Sequence, residues 1–326
     1  MSSVKVNETP VRTSKSFNIN NIKISEDIFS NKIPEFNNVE IVNNSTKVSI
    51  ENEKTPVELK YGLGESLTTE VEKNSNQNYK ITIDSKTNKE TLIIKYETLN
   101  EIISYHNGII KLNAKHNSKI NIIIVNLLSD KSNNFLSIES KIEKDANVNY
   151  IIVDFGGENT VTNYYSNLAG DFAKNSLNTL YIGKEKQVID LNYIAELYGK
   201  KSEINIEVQG ALKDKAKKNF KGTIDFKKGC KKAKGEENEN CVLLSDTTKS
   251  IALPMLLCSE EDVEGAHSSS AGKVGDKELF YIMSRGFELK EAQKLLIRAN
   301  FNKILENIKN EGLKERIIKE IDLRLD

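Results

Sequence analysis

Three segments of this chain share one format and decide its fold: AKHNSKINIIIV from Ala114, EKDANVNYIIVDF from Glu143 and LYGKKSEINIEV from Leu197. Each joins a strand, a small polar corner and a second strand whose apolar residues alternate with polar ones. The first two recur at a spacing of about one solenoid coil. This repeat, although degenerate, predicts a parallel β-helix whose stacked coils bury one continuous core.

The same strand-like character extends from Val57 to Leu257. Short segments rich in Val, Ile, Tyr and Thr recur there between Asn, Asp, Gly, Lys and Ser. A sandwich would usually carry hairpin signals such as Asn-Gly between neighbouring strands, whereas Asn107-Gly108 is the lone example in the sequence. The pattern therefore predicts a mainly β chain with solenoid rather than sandwich architecture.

The hydrophobic period changes after Gly286, which is expected to end a short helix in the left-handed conformation. Asp276 is placed as the N-cap of that helix. Two amphipathic helices are predicted beyond it from apolar residues at helical spacing. These residues are Ala292, Leu295, Leu296 and Ala299 in the first helix, and Leu313, Ile317, Ile321 and Leu325 in the second. Such helices either cap the last coil of the solenoid or present a face to a partner.

The composition argues against several classes of protein. The 47 basic and 47 acidic side chains cancel, so the charge balance points neither to nucleic acid nor to an acidic membrane surface. The N-terminus has no apolar core of signal-peptide length, and the longest apolar stretch, Ile120 to Leu128, is short and broken by asparagines. Three cysteines without a CxxC pair indicate neither a disulfide framework nor a structural zinc site. We expect a soluble, cytoplasmic protein.

One stretch between the strands and the helices carries a family resemblance. DVEGAHSSSAGKVGDKELFYIMSRG spans Asp262 to Gly286 and places His267 thirteen residues after Pro254. This order and spacing resemble the core of the SufB/SufD family of iron–sulfur cluster assembly scaffolds. The match runs from about Phe220 to Ile308. It implies a right-handed parallel β-helix with a C-terminal α-helical segment.

The resemblance also implies partners and a metal ligand. In SufD-type chains the histidine at this position lies at the interface with SufB, and neutral imidazole can bind iron. His267 is therefore the candidate ligand of iron or of a transient iron–sulfur cluster. In the family, the helical segment docks the ATPase subunit SufC. We expect the partner-binding residues to be Phe280, Tyr281, Arg285, Gly286 and Glu291.

The cysteines and the other histidines are weaker candidates. Cys241 lies at a strand start, on the strand that carries a cysteine in SufB-type chains, but the matching position is Glu239. Thiolate is a soft ligand suited to iron–sulfur chemistry, so Cys241 stays a weak metal candidate. Cys258 is expected to be a buried thiol at a strand end. His106 and His116 fall on polar turns and are expected at the surface.

Departures from the family pattern favour a SufD-like chain. SufB-type sequences flank this histidine with glutamates, whereas Ala266 and Ser268 stand here. The GAH pattern, the preceding DV and the following LFYIMSRG resemble SufD. We expect the helical region found at the N-terminus of many SufD chains to be missing or much reduced.

Other motifs are absent or weak. The sequence has no GxxxxGK[ST], so nucleotide hydrolysis would belong to a partner. The basic run from Lys213 to Lys234 carries only Phe220 and Phe226 as aromatics, which favours solvated turn residues over nucleic-acid binding. A β-helix carbohydrate lyase or hydrolase is the rival class, but such enzymes need clustered carboxylates, and the acidic residues here are scattered.

The expected organisation is a loose N-terminal tail over residues 1–16, a β-helix core over 17–274 and a helical segment over 275–326. We expect a non-enzymatic scaffold subunit of the SUF machinery that pairs with a SufB-like chain and binds SufC. The alternative within the family is a SufB-like chain that forms a homodimer with SufC alone.

Overall fold

The computed structural model describes residues 3–6, 22–25, 27, 39–42, 47–53, 58–60, 66–68, 78–85, 90–98 and 103–326. The strands among them are, in chain order, β1 (Ser3–Val6), β2 (Ile22–Ser25), β3 (Val39–Val42), β4 (Lys47–Glu53), β5 (Glu58–Lys60), β6 (Ser66–Thr68), β7 (Asn78–Ser85), β8 (Glu90–Glu97), β9 (Tyr105–Ala114), β10 (Lys119–Leu127), β11 (Asn133–Ile142), β12 (Asn147–Asp154), β13 (Asn159–Leu168), β14 (Lys174–Gly183), β15 (Val188–Leu197), β16 (Glu203–Leu212), β17 (Lys217–Phe226), β18 (Ala233–Leu243), β19 (Lys249–Cys258) and β20 (Val263–Gly272). The helices in this part of the chain are α1 (Asp276–Met283), α2 (Leu289–Leu305) and α3 (Glu311–Leu325).

Two eight-stranded sheets face each other and form a solenoid. The even-numbered strands from β8 to β20 continue from β3 in the first sheet, and the odd-numbered strands from β7 to β19 continue from β4 in the second sheet. Neighbouring strands are parallel apart from the antiparallel β3–β8 and β4–β7 pairs. Because consecutive strands alternate between the sheets, each coil adds one strand to each. The prediction of a parallel β-helix is confirmed, and its right-handed sense stays a prediction.

The polar corners of the repeat are the turns that link the two sheets. Asn117 and Asp145 occupy left-handed backbone conformations there, with φ angles of 62° and 57°, which short polar side chains tolerate well. The backbone N–H of Asn117 donates to the carbonyl of Lys144 in the next coil at 3.2 Å. At Gly199 a side-chain carbon would lie 1.8 Å from the carbonyl oxygen of Gly170. The coils therefore stack corner on corner, with glycine required at the closest approach.

The space between the sheets is a continuous apolar core. Strand alternation sends every second side chain inward, and the inner residues form one buried cluster along the solenoid. Within it, the rings of Tyr150, Tyr164, Tyr193 and Phe220 form a row of edge-to-face contacts with successive centroid distances of 5.2, 6.0 and 5.7 Å. Such contacts add to the stabilisation that burial of the rings already supplies.

Helices α2 and α3 pack along the outer face of the first sheet instead of capping the last coil. Their buried residues join a second apolar cluster that contains outer residues of the sheet such as Ile151, Val153 and Phe155. Ion pairs tie the helices to the same face, since Lys303 contacts Glu207 at 2.8 Å. This cluster explains why strands of the first sheet are apolar on both faces.

The buried face of α2 differs from the predicted one. Ala292 is buried as predicted and Leu296 is half-buried, but Leu295 and Ala299 are exposed. The side chains that join the sheet cluster are Ile297, Phe301, Ile304 and Leu305. The predicted face of α3 is confirmed, with Ile317, Ile321 and Leu325 buried. Helical spacing alone allows more than one apolar face on α2, and packing against the sheet determines which of them is buried.

The short helix α1 begins one residue earlier than expected. Gly275 is its N-cap and Asp276 its first residue, so the assignment of Asp276 as the cap is wrong. Gly286 adopts a φ of 97°, which confirms the left-handed stop.

The expected loose tail over 1–16 falls largely outside the described residues. Its described part, Ser3–Val6, pairs antiparallel with Ile22–Ser25. The last strand ends at Gly272 and the helices begin at Asp276, while the three-part domain division stays a prediction.

Candidate functional site

His267 lies on β20, the strand that ends the first sheet. Its Cα register partner is Glu237 on β18, and its side chain is exposed. Residues at one register in neighbouring parallel strands point to the same face. Two residues further on, Ser269 donates to the inward-facing Glu239 carboxylate at 2.8 Å. His267 therefore stands on the inner face of the terminal coil, where no described strand stacks above it.

Below the terminal coil, β18 presents Glu237, Glu239 and Cys241 to the interior. These three residues pair in register with His267, Ser269 and Ala271. All three are buried. The interior at this end of the solenoid is therefore more polar than in the preceding coils. The residues next to His267 on β20 have small side chains, namely Ala266 and Ser268.

Glu239 belongs to a buried ion pair. The ammonium of Lys218 on β17 donates to its carboxylate at 2.7 Å, and neither side chain is exposed to solvent. The hydroxyl of Tyr181 donates to the same carboxylate at 3.3 Å. With the Ser269 bond, Glu239 has partners on three sides, which is the condition for a buried carboxylate to stay charged.

Glu237 has no such partners. Its side chain is fully buried, and neither carboxylate oxygen makes a hydrogen bond within the part of the chain that the structure describes. Burial, with a smaller contribution from Glu239, raises the pKa of Glu237 to about 8. The carboxylate reaches across the interior toward Gly222, where a side-chain carbon would lie 1.9 Å from Oε2. Glycine at that position makes room for the acid.

The cysteines are placed differently from the expectation. Cys241 lies near the end of β18 and not at a strand start; it is buried, and burial raises the pKa of its thiol. Cys258 ends β19 and is exposed, so its predicted burial is wrong. Cys230 is buried, and burial raises the pKa of its thiol to about 11. Neither buried thiol supplies a thiolate readily at neutral pH.

His106 is also misplaced by the sequence prediction. It is fully buried on β9, where Nδ1 donates to the side-chain oxygen of Asn134 at 2.6 Å and the ring lies 4.0 Å from that of Tyr96. His116 lies on an exposed turn, as expected. Both histidines have polar neighbours in the sequence, but the folded chain buries His106 and leaves His116 exposed.

The burial of His106 predicts a pH dependence of stability. Burial lowers its pKa from 6.5 to about 4, against the opposing effect of the Asn134 hydrogen bond. The unfolded chain therefore binds a proton below about pH 6.5 that the folded chain binds only near pH 4, so stability falls as the pH falls through this window. The loss of unfolding free energy between pH 7 and pH 5 is expected to be roughly 2 kcal/mol.

Urea unfolding at several pH values measures this loss. The free energy of unfolding should depend less on pH for His106→Gln, while His116→Gln keeps the wild-type dependence on pH. The same pH dependence in all three proteins would contradict the prediction.

The basic run from Lys213 to Lys234 is only partly solvated. Lys218 and Lys221 are fully buried, which corrects the reading of the whole run as turn residues. Burial lowers the pKa of Lys221 to about 8. Two of the lysines that invited a nucleic-acid interpretation are thus unavailable to phosphates.

The predicted docking residues lie together on and beside α1. Phe280 is 75 % exposed and Tyr281 is 59 % exposed. Arg285 lies 5.2 Å from the Tyr281 ring centroid and donates to its hydroxyl at 3.1 Å. Gly286 turns the chain away, and Glu291 is exposed on the first turn of α2.

Helix α1 buries none of its own residues. Four further apolar side chains that follow the aromatic pair in the sequence are also exposed, namely Met283, Phe287, Leu289 and Leu295. We call this set, with Phe280 and Tyr281, the α1 patch.

Among the residues that the structure describes, no group of three or more His, Cys, Asp or Glu side chains stands close enough to hold a metal ion. In the same part of the chain, no helix has the length and apolar character needed to cross a membrane.

The sequence prediction missed Glu237, Glu239 and Lys218. A signal was present in GEENENC, Gly235 to Cys241, where two acids and the cysteine recur with period two on one face of a predicted strand. The sequence pattern did not show that Lys218, on another strand, is the partner of Glu239 across the interior.

The fold and the site define a class: a parallel β-solenoid with helices along one face, a histidine on its terminal coil and an apolar patch beside it. The profile of the family described as "SUF system FeS cluster assembly, SufBD core domain" matches residues 67–300. The chain belongs to this SufBD family of iron–sulfur cluster assembly proteins.

Curated relatives agree with the SufD-like character. The chain is 28% identical over 182 residues to the iron-sulfur cluster assembly protein SufD of Bacillus subtilis, covering 56% of this chain and 42% of that one. It is 29% identical over 114 residues to SufD of Escherichia coli, covering 35% and 27% of the two chains. It is 25% identical over 233 residues to a SufBD family protein of Pyrococcus horikoshii, covering 70% and 51%. The matched region is thus about half or less of each relative's length.

Proposed function

We propose that this chain is a non-enzymatic, cytoplasmic scaffold subunit of the SUF machinery, which pairs with a SufB-like chain and binds a SufC-like ATPase. The observation that carries the proposal is the adjacency of two unpartnered features, the terminal coil with His267 and the α1 patch. Family membership supports the assignment to iron–sulfur cluster assembly. Nucleotide would be bound by the partner ATPase and not by this chain.

Pairing through the terminal coil follows from the state of its strands. Among the described residues, β19 and β20 each have a strand neighbour on one side only. Edge strands of this length pair readily with another chain unless they are covered or charged. Ser268, Ser269 and Ser270 line the β20 edge with small side chains, which allow close approach of a second backbone.

The cargo would be iron or a transient iron–sulfur cluster held between the two chains. His267 is the proposed ligand from this chain, because it is exposed and lies on the last strand of the first sheet among the described residues. Cys241 stays a weak candidate, since its burial works against thiolate formation.

Loss of the histidine should lower the metal content without loss of fold. Because His267 is exposed, we expect His267→Ala to fold normally while the complex co-expressed with SufB-like and SufC-like chains retains less than about half of its iron after anaerobic purification. His116→Ala, which removes an exposed histidine from a distant turn, is the matched control. Unchanged iron and sulfide in the His267 variant would remove the ligand role.

The α1 patch should provide the contact for the ATPase. Exposed aromatic side chains of this kind supply most of the binding free energy at many interfaces. The double substitution Phe280→Ala with Tyr281→Ala is expected to weaken retention of a SufC-like ATPase at least tenfold, and to leave stability unchanged because α1 buries none of its residues. Leu323→Ala removes a 54 % exposed apolar side chain from α3 and serves as the control. Wild-type affinity in the double variant would rule this docking surface out.

The homodimeric alternative uses the same edge. Size determination of the purified chain with a SufC-like ATPase alone distinguishes the two arrangements, because a stable assembly holding two copies of this chain would favour the homodimer.

A further inference from the structure

Glu237 is a buried carboxyl group whose two oxygens have no hydrogen-bond partner among the described residues. Burying such a group without a hydrogen bond or a counter-charge is unfavourable. Glu239, two residues along the same strand, meets that requirement through Lys218, Tyr181 and Ser269. Glu237 has equal burial and no such set of partners among the described residues. Its two oxygens are therefore not committed to another described residue, and a cation could bind them with release of the carboxyl proton.

The position of Glu237 indicates where that partner binds. His267 occupies the same register on the neighbouring parallel strand, so the two Cα atoms are about 4.8 Å apart and their side chains share the inner face. Among the described strands none stacks beyond His267, so an ion would reach the fully buried Glu237 past the exposed His267 side chain. The Glu237 carboxylate lies against Gly222 on the opposite sheet and fills the space that a side-chain carbon there would occupy.

We propose that Glu237 is the second ligand, beside His267, of a divalent first-row transition-metal ion at the terminal coil. The proposal rests on the metal-binding role given above to His267. Imidazole nitrogen and carboxylate oxygen together suit iron(II) and zinc, with the remaining coordination positions left to water or to groups of a pairing chain. The absence of a three-residue ligand group among the described residues agrees with a site that this chain only half completes.

Other residues near the site are less suited to this role. Glu239 is committed to Lys218 and Ser269. Cys241 is covered by Ala271 in the terminal coil and has a raised thiol pKa. Of the three inward-facing residues of β18, Glu237 is therefore the one whose polar atoms have no partner among the described residues.

Zinc is a suitable probe because it binds nitrogen and oxygen sites more tightly than iron(II) and has no redox chemistry. Titration calorimetry of the tag-free chain with Zn²⁺ should show one site in the wild type. Glu237→Gln and His267→Ala are each expected to weaken it at least tenfold. Glu236→Gln removes an exposed, outward-facing acid from the adjacent position and is expected to bind like the wild type. Urea unfolding of Glu237→Gln should show no loss of stability, because a neutral amide replaces an unpaired acid.

The outcomes separate this inference from the proposed function. Wild-type affinity in Glu237→Gln, combined with weakened binding in His267→Ala, overturns the role of Glu237 and leaves that of His267 in place. Wild-type chain that binds no Zn²⁺, or a Glu236→Gln variant that loses as much affinity as Glu237→Gln, overturns the site. Failure of the chain to retain a SufC-like ATPase would refute the docking proposal and leave the metal measurements unaffected.

Discussion

Replacing Tyr193 with alanine is expected to lower the free energy of unfolding by about 3–5 kcal/mol. Tyr193 is fully buried in the middle of the aromatic row, between Tyr164 and Phe220. Alanine leaves a cavity between two rings that are held by the stacked coils, so the surrounding structure cannot collapse to fill it. It also removes the hydrogen bond between the Tyr193 hydroxyl and Thr179 at 3.0 Å, which adds the desolvation of an unpaired group.

Tyr198→Ala is the matched control for this substitution. Tyr198 is 45 % exposed on the corner that follows the same strand, and its loss is expected to remove less than about 1 kcal/mol. Urea unfolding followed by circular dichroism measures both variants. Equal losses for the two tyrosines would show that the aromatic row does not hold the coils together.

Lys218→Met is expected to destabilise the chain by about 3–5 kcal/mol, because it leaves the carboxylate of Glu239 buried without its cation. Both partners of this pair are inaccessible to solvent, so water cannot replace the lost ammonium. Glu239→Met should have a comparable effect through the uncompensated ammonium. The double variant Lys218→Met with Glu239→Met is expected to recover most of the stability, since apolar side chains of similar volume replace the pair.

A double-mutant cycle in urea measures the coupling between the two residues. Lys217→Met, which removes a neighbouring exposed ammonium from the same strand, should change stability by less than about 0.5 kcal/mol. Additive losses in the double variant, instead of recovery, would mean that the two charges contribute independently of each other.

Sequence reasoning succeeded where a residue's role depends on its immediate neighbours. The repeated polar corners around Asn117 and Asp145 are turns with left-handed backbone, and Gly286 ends α1 in the predicted conformation. The order of Pro254, His267 and the LFY segment identified the family correctly. These features follow from alternation, turn chemistry and spacing, which are local properties.

Sequence reasoning failed where a residue's role depends on which coils stack around it. His106, Lys218 and Lys221 resemble surface residues because they are polar, yet the folded chain buries all three. Cys258 resembles a core thiol, yet it lies on the terminal coil, where no described strand covers it. The alternation of apolar and polar residues divides a strand into two faces, but it does not predict which face other parts of the chain cover.

The amino-acid sequence by itself determined that this chain forms a stack of short parallel strands followed by helices, because strand period, corner residues and helix period are each encoded within a few neighbouring positions. Only the tertiary structure decided that α2 and α3 cover the outer face of the first sheet, that Lys218 pairs with Glu239, and that Glu237 lies next to His267 on the neighbouring strand. The physical reason is that each of these contacts joins residues from separate strands or helices. Such a contact stabilises the chain only after those elements have packed together.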